Sequence, residues 1–387
     1  MRQRTNILRL SRRHFLGTGA ALFATGIAPR AFAGIPAVRF LSARGGDGDS
    51  WFATGFDANG AIAFDLAIEA RGHGAARDRA TGETLLFARR PGDFALVIDT
   101  QAGTIRQRID ASPGRYFNGH GIFSADGTRL FTTETASDTG DGLIGIYDAT
   151  AHYSRIGEFA SGGLDPHDMR RLPDGRLVVA NGGLLTDPAE PGIKLNVATM
   201  TSSLAILDPR DGTIEHSFRV APSLFQLSLR HLALDAEGGV AVAMQYEGPA
   251  VDHVPLVAYL APGARDLVAL DPPAPVLRQL DQYCGSAAVD ASGRLLAVTS
   301  PRGGIAAFWD LPAQRFLGTT TLADGCGIAA AGISGEAADD GAGAFLFSSG
   351  LGGLLRCEPA ADQATILIES DPLAPTIRWD NHILALG

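Results

Sequence analysis

The stretch from His120 to Glu134 contains a short apolar run, a tight Asp-Gly turn at residues 126–127 and a second apolar run. Alternating runs on either side of such a turn are typical of a β-hairpin. Two further strand-like runs follow at 143–148 and 155–160. Four short strands in about forty residues have the size of one β-propeller blade. The stretch therefore predicts a blade, and the rest of the chain repeats it.

A histidine or cysteine precedes most repeats of this unit. In chain order, these anchor residues are His73, His120, His167, His231, Cys284, Cys326 and His382. Most anchors are followed by an apolar run, a turn and another apolar run; after His167, for example, the turn is Pro-Asp-Gly-Arg at 173–176. Seven anchors at intervals typical of propeller repeats predict seven blades.

The two ends of the chain together supply one blade. Only one strand, at 382–386, follows the last anchor, while three strands near the start, at 38–41, 50–56 and 61–68, have no anchor. Sharing them closes the ring and removes open sheet edges. We therefore predict an all-β fold, a seven-bladed β-propeller of four-stranded blades whose last blade is shared between the N- and C-termini. The alternative is a β-sandwich or an open stack. Long loops are expected at 181–201 and 334–343.

Residues 1–33 have the pattern of a twin-arginine export signal rather than of a folded segment. Ser-Arg-Arg-His-Phe-Leu at 11–16 precedes a modest apolar run, and Ala-Phe-Ala at 31–33 is a cleavage site. We expect cleavage after Ala33, a propeller domain at 34–387 in the periplasm, and no transmembrane segment in the mature chain. Without the six arginines of the leader, 26 basic and 42 acidic residues remain, a net charge of −16. This balance argues against nucleic acid and anionic lipid as partners.

The anchors predict a metal site. Equivalent positions of the inner strands converge on the propeller axis, so the five histidines His73, His120, His167, His231 and His382 should meet at one mouth of the central channel. Imidazole suits iron, copper and zinc. We expect metal affinity to fall as the pH drops through about 6.5, the unperturbed pKa of histidine. The alternative is a structural role, because WD repeats use a Gly-His pair for hydrogen bonds inside the blade, and Gly72-His73 and Gly119-His120 match it.

A second interpretation of the same mouth is an anion site. The candidate residues for a bound cofactor or acid are Arg71, Arg115, Arg230, Glu134 and Asn181, because arginine recognises carboxylates by bidentate contacts. Asp165 and Asp168 beside His167, and Asp380 near His382, are candidates to orient the imidazoles.

The positions of the three cysteines in the repeat predict their roles. Cys284 and Cys326 occupy anchors of adjacent blades, so a disulfide is the first expectation and metal ligation the second. Cys357 is expected to be a buried free thiol. The sequence has no G-x-S-x-G, H-E-x-x-H, C-x-x-C-H or phosphate-loop motif, and nothing indicates a serine or cysteine hydrolase.

Several motifs resemble one family. They are Gly-His-Gly-Ile-Phe-Ser-Ala-Asp-Gly at 119–127, Leu-Asp-Pro-His-Asp at 164–168, Ala-Asn-Gly-Gly at 180–183 and Asp-Gly-Cys-Gly at 324–327. With the twin-arginine leader, they are similar to the exported propeller proteins called DUF1513. The resemblance implies a seven-bladed, WD40- or YVTN-like propeller and a setting beside imelysin-like iron-uptake proteins and cytochrome-like oxidoreductases. It supplies no catalytic residue.

Two functional classes follow. The first is a periplasmic binding protein that holds a metal at the channel mouth and is associated with iron uptake, with imelysin-like or cytochrome-like proteins as partners. The second is a propeller enzyme, lactonase-like or a metal oxidoreductase, acting at the same mouth.

Overall fold

The structure, a computed structural model, describes residues 37–332, 343–360, 367–373 and 377–387. The predicted leader at 1–33 lies outside these residues, as does nearly all of the predicted loop at 334–343. Within the described residues, no helix has the length and apolar character needed to traverse a bilayer.

Seven four-stranded antiparallel sheets form the blades of a propeller. Blade 1 comprises β4 (Gly72–Arg77), β5 (Thr84–Ala88), β6 (Phe94–Asp99) and β7 (Thr104–Asp110). Blade 2 comprises β8 (Arg115–Phe123), β9 (Arg129–Ala136), β10 (Asp141–Asp148) and β11 (Ser154–Leu164). Blade 3 comprises β12 (Pro166–Arg171), β13 (Leu177–Asn181), β16 (Ser203–Leu207) and β17 (Ile214–Phe218). The predicted long loop at 181–201 contains a small hairpin of β14 (Thr186–Asp187) and β15 (Glu190–Lys194).

The remaining blades follow the same order. Blade 4 comprises β18 (Leu227–Leu234), β19 (Val240–Tyr246), β20 (Val257–Leu260) and β21 (Val268–Ala269), preceded by a 3-10 turn at Pro222–Leu224. Blade 5 comprises β22 (Ser286–Val289), β23 (Leu295–Ser300), β24 (Ile305–Asp310) and β25 (Arg315–Thr321), preceded by helix α1 (Ala274–Gln279). Blade 6 comprises β26 (Gly325–Ala330), β27 (Phe345–Ser349), β28 (Leu354–Ala360) and β29 (Leu367–Leu373).

Blade 7 is built from both ends of the chain, as predicted. Its sheet runs β30 (Trp379–Ala385), β1 (Phe40–Gly45), β2 (Trp51–Phe56) and β3 (Ile62–Ile68). The last strand pairs antiparallel with the first, with Leu384 opposite Leu41. The Ser42 hydroxyl also donates to the His382 carbonyl at 2.6 Å. The ring is therefore closed by hydrogen bonds between the two ends of the described chain.

The blade hairpins form because of their turns. In blade 2, Gly127 has φ +71°, a backbone conformation that glycine adopts without steric cost. The Asp126 carboxylate accepts a hydrogen bond from the Thr128 backbone N–H at 3.1 Å, which fixes the turn. The Asp-Gly pair read from the sequence thus sets the register of β8 and β9.

Hydrophobic side chains fill the spaces between neighbouring blades. Phe308 of blade 5 packs against Phe345 and Phe347 of blade 6, with ring centroids 5.9 and 6.0 Å apart. Phe56 and Trp379 of blade 7, whose ring centroids are 4.7 Å apart, share a buried cluster with Leu346 of blade 6. Aromatic pairs at such separations add to the free energy gained from burial alone.

The seven inner strands contact one another in a closed cycle around the axis, from β4 through β8, β12, β18, β22 and β26 to β30 and back to β4. The histidine anchors lie within these inner strands rather than just before them. His73, for instance, is the second residue of β4, and His120 is the sixth of β8. Five inner strands therefore bring a histidine to the axis.

Candidate functional site

The five anchor histidines form one ring at the axis, which we call the histidine ring. Its members are His73, His120, His167, His231 and His382. Centroids of contacting imidazoles are 4.5 Å apart for the pair His73–His382 and 5.9 Å apart for His120–His231. His73, His120 and His231 are buried, whereas His167 and His382 are partly exposed. The ring therefore lies inside the channel, with an approach beside two of its members.

Glycines make room for this packing. Gly119 has φ +99°, and a Cβ there would lie 2.5 Å from His73 Cδ2. A Cβ at Gly74 would lie 2.7 Å from His120 Nδ1. The Gly-His-Gly sequence at 119–121 thus includes a glycine without which two neighbouring imidazoles could not lie side by side.

Two imidazoles are oriented through Nδ1. His120 Nδ1 lies 3.5 Å from the carboxylate of Asp168 in the next blade, and His382 Nδ1 lies 3.4 Å from the Ser286 hydroxyl of blade 5. The buried Asp168 is held in turn by the Leu232 backbone N–H at 2.9 Å. The Asp168 carboxylate only accepts, so it keeps the proton of a neutral His120 on Nδ1 and leaves the Nε2 lone pair free. The Ser286 hydroxyl both donates and accepts, so it positions the His382 ring without fixing its tautomer. Nε2 is buried in both residues and has no hydrogen-bond partner in the described part of the chain.

The other three imidazoles differ among themselves. Nδ1 of His73 and Nδ1 of His231 are buried without a hydrogen-bond partner among the described residues. His167 Nδ1, in contrast, lies 3.3 Å from the Arg230 guanidinium. A guanidinium only donates, so Nδ1 of His167 accepts and Nε2 carries the proton. His167 is therefore a hydrogen-bond donor through Nε2.

The ring is neutral because it is buried. Burial, followed by the charge of Arg170, lowers the pKa of His120 to about 3. Burial and then neighbouring charges hold the pKa of the other four imidazoles well below the ordinary value. The expected loss of metal affinity at about pH 6.5 is therefore moved to lower pH. Neutral imidazole is the form that binds a metal.

Asp165 joins two arginines beside the ring. The buried carboxylate accepts from Arg230 Nη1 at 2.7 Å and also pairs with Arg90. Gly182 permits this contact, because a Cβ there would lie 2.7 Å from Asp165 Oδ2. Asp165 thus positions Arg230, and Arg230 in turn fixes the tautomer of His167.

Three more arginines surround the ring. Arg71 pairs with the buried Asp380, and Arg170 pairs with Asp168 at 2.6 Å. Arg89 follows β5, and its backbone N–H donates to the Arg71 carbonyl at 2.8 Å. Arg89 is exposed, and its guanidinium has no ion pair or hydrogen bond within the described ranges.

The predicted cofactor-binding residues divide into two sets. Arg71 and Arg230 lie beside the ring, as described above. The other three have partners inside the blades. Arg115 pairs with Glu158 at 3.0 Å, and the buried Glu134 pairs with Arg155 at 2.7 Å. Asn181 is buried between Ser161 and Ser203, bonded to both. Arg115, Glu134 and Asn181 therefore make contacts inside the blades, and the structure does not bring these three side chains to the histidine ring.

The cysteines depart from expectation in one respect. Cys284, Cys326 and Cys357 are all buried free thiols, so the predicted disulfide between Cys284 and Cys326 is not formed, whereas the prediction of a buried free thiol at Cys357 is confirmed. Cys284 packs into the hydrophobic core beside Met244 and Leu280. In blade 5 the ring is reached instead by Ser286, two residues later. The alignment of Cys284 with the histidines was therefore wrong, whereas Cys326 lies within the inner strand β26 of blade 6.

Arg89, Arg90, Arg170 and Ser286 were missed by the sequence reasoning. A signal existed for the first two, because Arg89-Arg90 directly follows the predicted second strand of its blade, at the level where the first and second strands meet. No sequence pattern indicated Ser286, because helix α1 and the segment after it displace the inner strand of blade 5 relative to the repeat.

Two groups of three histidines are close enough to hold one metal ion. They are His73, His120 and His167, and His120, His231 and His382; in each, the nitrogens lie within 4.8 Å of one another. His120 belongs to both groups. In the second group each member has a buried nitrogen without a hydrogen-bond partner among the described residues, whereas His167 of the first is engaged by Arg230.

The comparisons with known proteins identify a family. The model of the family described as a protein of unknown function (DUF1513) matches residues 66–386. No curated protein is significantly similar in sequence.

Similar folds occur in several solved structures. Hydrazine synthase of Kuenenia stuttgartiensis superposes with a TM-score of 0.56 and 15% identity, over 78% of this chain and 90% of that chain. The β-propeller domain of Cps50 (Swd1) from Myceliophteria thermophila gives 0.55 and 13%, over 81% and 94%. A chain of a mitotic checkpoint complex gives 0.53 and 12%, over 79% and 80%. At these identities the likeness shows the fold alone, a WD40-like propeller.

Proposed function

The chain belongs to the DUF1513 family, and from the geometry of its histidine ring we propose that it binds a transition metal ion, iron, copper or zinc, inside the propeller channel. The proposed ligands are Nε2 of His120, Nδ1 of His231 and Nε2 of His382, with His73 adjacent. Three protein ligands leave a position open for a further ligand. In this proposal His167 serves as a hydrogen-bond donor beside the ion.

The observation that carries the proposal is the set of buried imidazole nitrogens without partners. His73, His120, His231 and His382 each have one within the described residues. An unsatisfied buried polar atom costs about 1–3 kcal/mol, so four in one ring are expensive to maintain without a ligand. A metal ion satisfies several of these lone pairs at once.

The distances also support one shared ion. Tetrahedral bonds of about 2.0–2.1 Å place ligand nitrogens about 3.4 Å apart, and one ring nitrogen from each of His120, His231 and His382 lies within 4.8 Å of the other two. Modest side-chain rotations therefore bring three nitrogens to bonding distance. The contact of His120 with Asp168 has the form of a carboxylate–histidine–metal arrangement, which raises ligand basicity.

A titration tests the proposal. Metal-free protein is titrated at pH 7 with Zn²⁺, Cu²⁺ and, without oxygen, Fe²⁺, and binding is followed by isothermal titration calorimetry. We expect one ion per chain. His120→Ala removes a residue common to both groups, so affinity should fall by at least about 100-fold, since loss of an outer partner alone costs about 10–100-fold.

The matched control is another histidine. His216 lies in the outer strand β17 and is exposed. His216→Ala should bind the metal as the wild type does. Equal affinity in wild type and His120→Ala, with His120→Ala still folded by circular dichroism, would refute the assignment of the site.

The finer expectations extend this proposal. A periplasmic location, an association with iron uptake and imelysin-like or cytochrome-like partners stay predictions, which fractionation and co-purification from the exporting cell check. The alternative function, a lactonase-like enzyme or metal oxidoreductase, would use the same open position, and turnover by the metal-loaded protein would favour it.

A further inference from the structure

We propose that the metal enters the ring together with a small oxygen anion, a carboxylate or an inorganic oxyanion, which bridges the metal and the Arg89 guanidinium. This inference rests on the proposed metal site and names the ligand that occupies its open position.

The charged groups around the ring have an excess of positive charge, which favours the binding of an anion. Five guanidinium groups lie there, and three carboxylates are paired with them: Arg71 with Asp380, Arg90 and Arg230 with Asp165, and Arg170 with Asp168, leaving Arg89. The immediate surroundings thus carry two more positive charges than negative ones. Glu247, whose charge also acts on Arg90, is itself paired with Lys194.

A divalent cation among neutral imidazoles adds to this excess. Desolvated like charges repel strongly, because the effective dielectric constant is low inside a protein. Buried charges are stable when they are paired and hydrogen-bonded. An anion bound with the metal removes part of the excess.

Arg89 is the member of the cluster available to an external anion. It has no ion pair or hydrogen bond through its guanidinium in the described segments, and it is exposed. Ala88, the residue before Arg89, pairs with Gly72, the residue before His73, so β5 holds Arg89 next to the strand that carries His73. Arg89 therefore lies beside the inner strand of blade 1 while remaining accessible from solvent.

Two groups beside the ring, Arg230 and His167, supply further donors. The Arg230 side chain is 5% exposed, and its Nε has no partner among the described residues. His167 presents a protonated Nε2, since Arg230 occupies its Nδ1, and it is partly exposed.

The chemistry selects oxygen anions with at least two oxygens. One oxygen can occupy the open metal position while the other accepts from the guanidinium fork of Arg89, a contact that is short, charge-assisted and often bidentate. Chloride offers a single acceptor atom and cannot bridge in this way.

The test measures coupling between metal and anion. Metal-free wild type and Arg89→Gln are titrated with Zn²⁺ in a non-coordinating buffer, alone and with oxalate, bicarbonate or phosphate. We expect at least one anion to tighten Zn²⁺ binding by about tenfold or more in the wild type, and this gain to be lost in Arg89→Gln. Complexation of Zn²⁺ by the anion in solution is the same for both proteins, so their difference isolates the site.

Arg315 provides a matched control, because it is exposed in the outer strand β25. Arg315→Gln should keep the gain. Zn²⁺ binding with no effect of any anion, or with an equal effect in Arg89→Gln, would overturn the bridging anion while leaving the metal site in place. If no metal binds, the proposed function fails, and the bridging anion fails with it. The three anions separate a carboxylate from an inorganic oxyanion.

Discussion

At the scale of single residues, the histidine ring depends on its imidazoles being uncharged. Centroids of contacting rings lie between 4.5 and 5.9 Å apart, so two protonated neighbours would repel at a distance where little water screens them. The fold keeps them neutral by burial and by the arginines nearby. The same arrangement makes the protein sensitive to acid.

We predict that the stability of the metal-free protein falls steeply in mild acid. The folded-state pKa of each ring histidine lies below the unfolded value of about 6.5, so the unfolded chain takes up protons that the folded chain does not. This part of the stability is complete above about pH 6.5 and is lost as the pH falls, by up to about 1.4 kcal/mol per pH unit for each histidine. Urea unfolding of metal-free protein at about pH 7, 6 and 5 measures it.

A single substitution identifies the source of this acid sensitivity. His120, with a pKa of about 3, remains neutral through the whole range. His120→Gln should therefore reduce the loss between about pH 6 and 5 by about 1.4 kcal/mol. An unchanged pH dependence in this variant would show that His120 is protonated in the folded protein.

The residues of the ring were predictable, but their contacts were not. The histidines recur at one position of a repeat, so the symmetry of the fold brings them together. Asp168, in contrast, approaches His120 of the preceding blade rather than its chain neighbour His167. Glu134 likewise meets Arg155 across two strands. Contacts between distant parts of the chain leave no local trace in one sequence.

At the scale of elements, closure of the propeller ring depends on strand β30. Its Trp379 and Ile383 are buried, and the strand contacts β26 and β4 as well as pairing with β1. Deleting residues 382–387 should cost several kcal/mol, at roughly 1.5–3 kcal/mol for each large apolar side chain exposed. Chemical denaturation measures the loss.

The control keeps the strand and removes the imidazole. Full-length His382→Ala retains the pairing of β30 with β1, so its metal-free form should keep most of the stability that the truncation loses. A truncated chain as stable as the wild type would contradict closure by β30.

The elements followed the sequence closely wherever a turn marked them. Strands predicted at 143–148 and 155–160 correspond to β10 and β11, because β10 is a run of mostly buried residues and burial alternates along most of β11. Blade 5 was misaligned because α1 occupies the approach to its inner strand, and Tyr283 bridges to Gln245 of blade 4. An insertion before a strand displaces the anchor without altering the apolar pattern that follows.

At the scale of the whole molecule, the predicted twin-arginine leader at 1–33 leads us to expect a periplasmic protein. Changing Arg12 and Arg13 together to lysine should hold the uncleaved precursor in the cytoplasm, because the twin-arginine pathway reads both side chains. Fractionation followed by N-terminal sequencing checks this. Mature protein starting at Gly34 in the periplasm of the double variant would show that another route exports it.

The position of His382 in β30 links the proposed metal site to the closure of the ring. The proposed ligands come from blades 2, 4 and 7, and His382 lies on the strand that pairs with β1. The proposed site is therefore complete only when β30 is in place beside β1. Once bound, the ion would stabilise the closed form by RT ln(1 + [L]/Kd), about 4 kcal/mol at a thousandfold excess over Kd. That stabilisation would act on the pairing of β1 with β30, so a bound ion would oppose opening of the ring between these two strands.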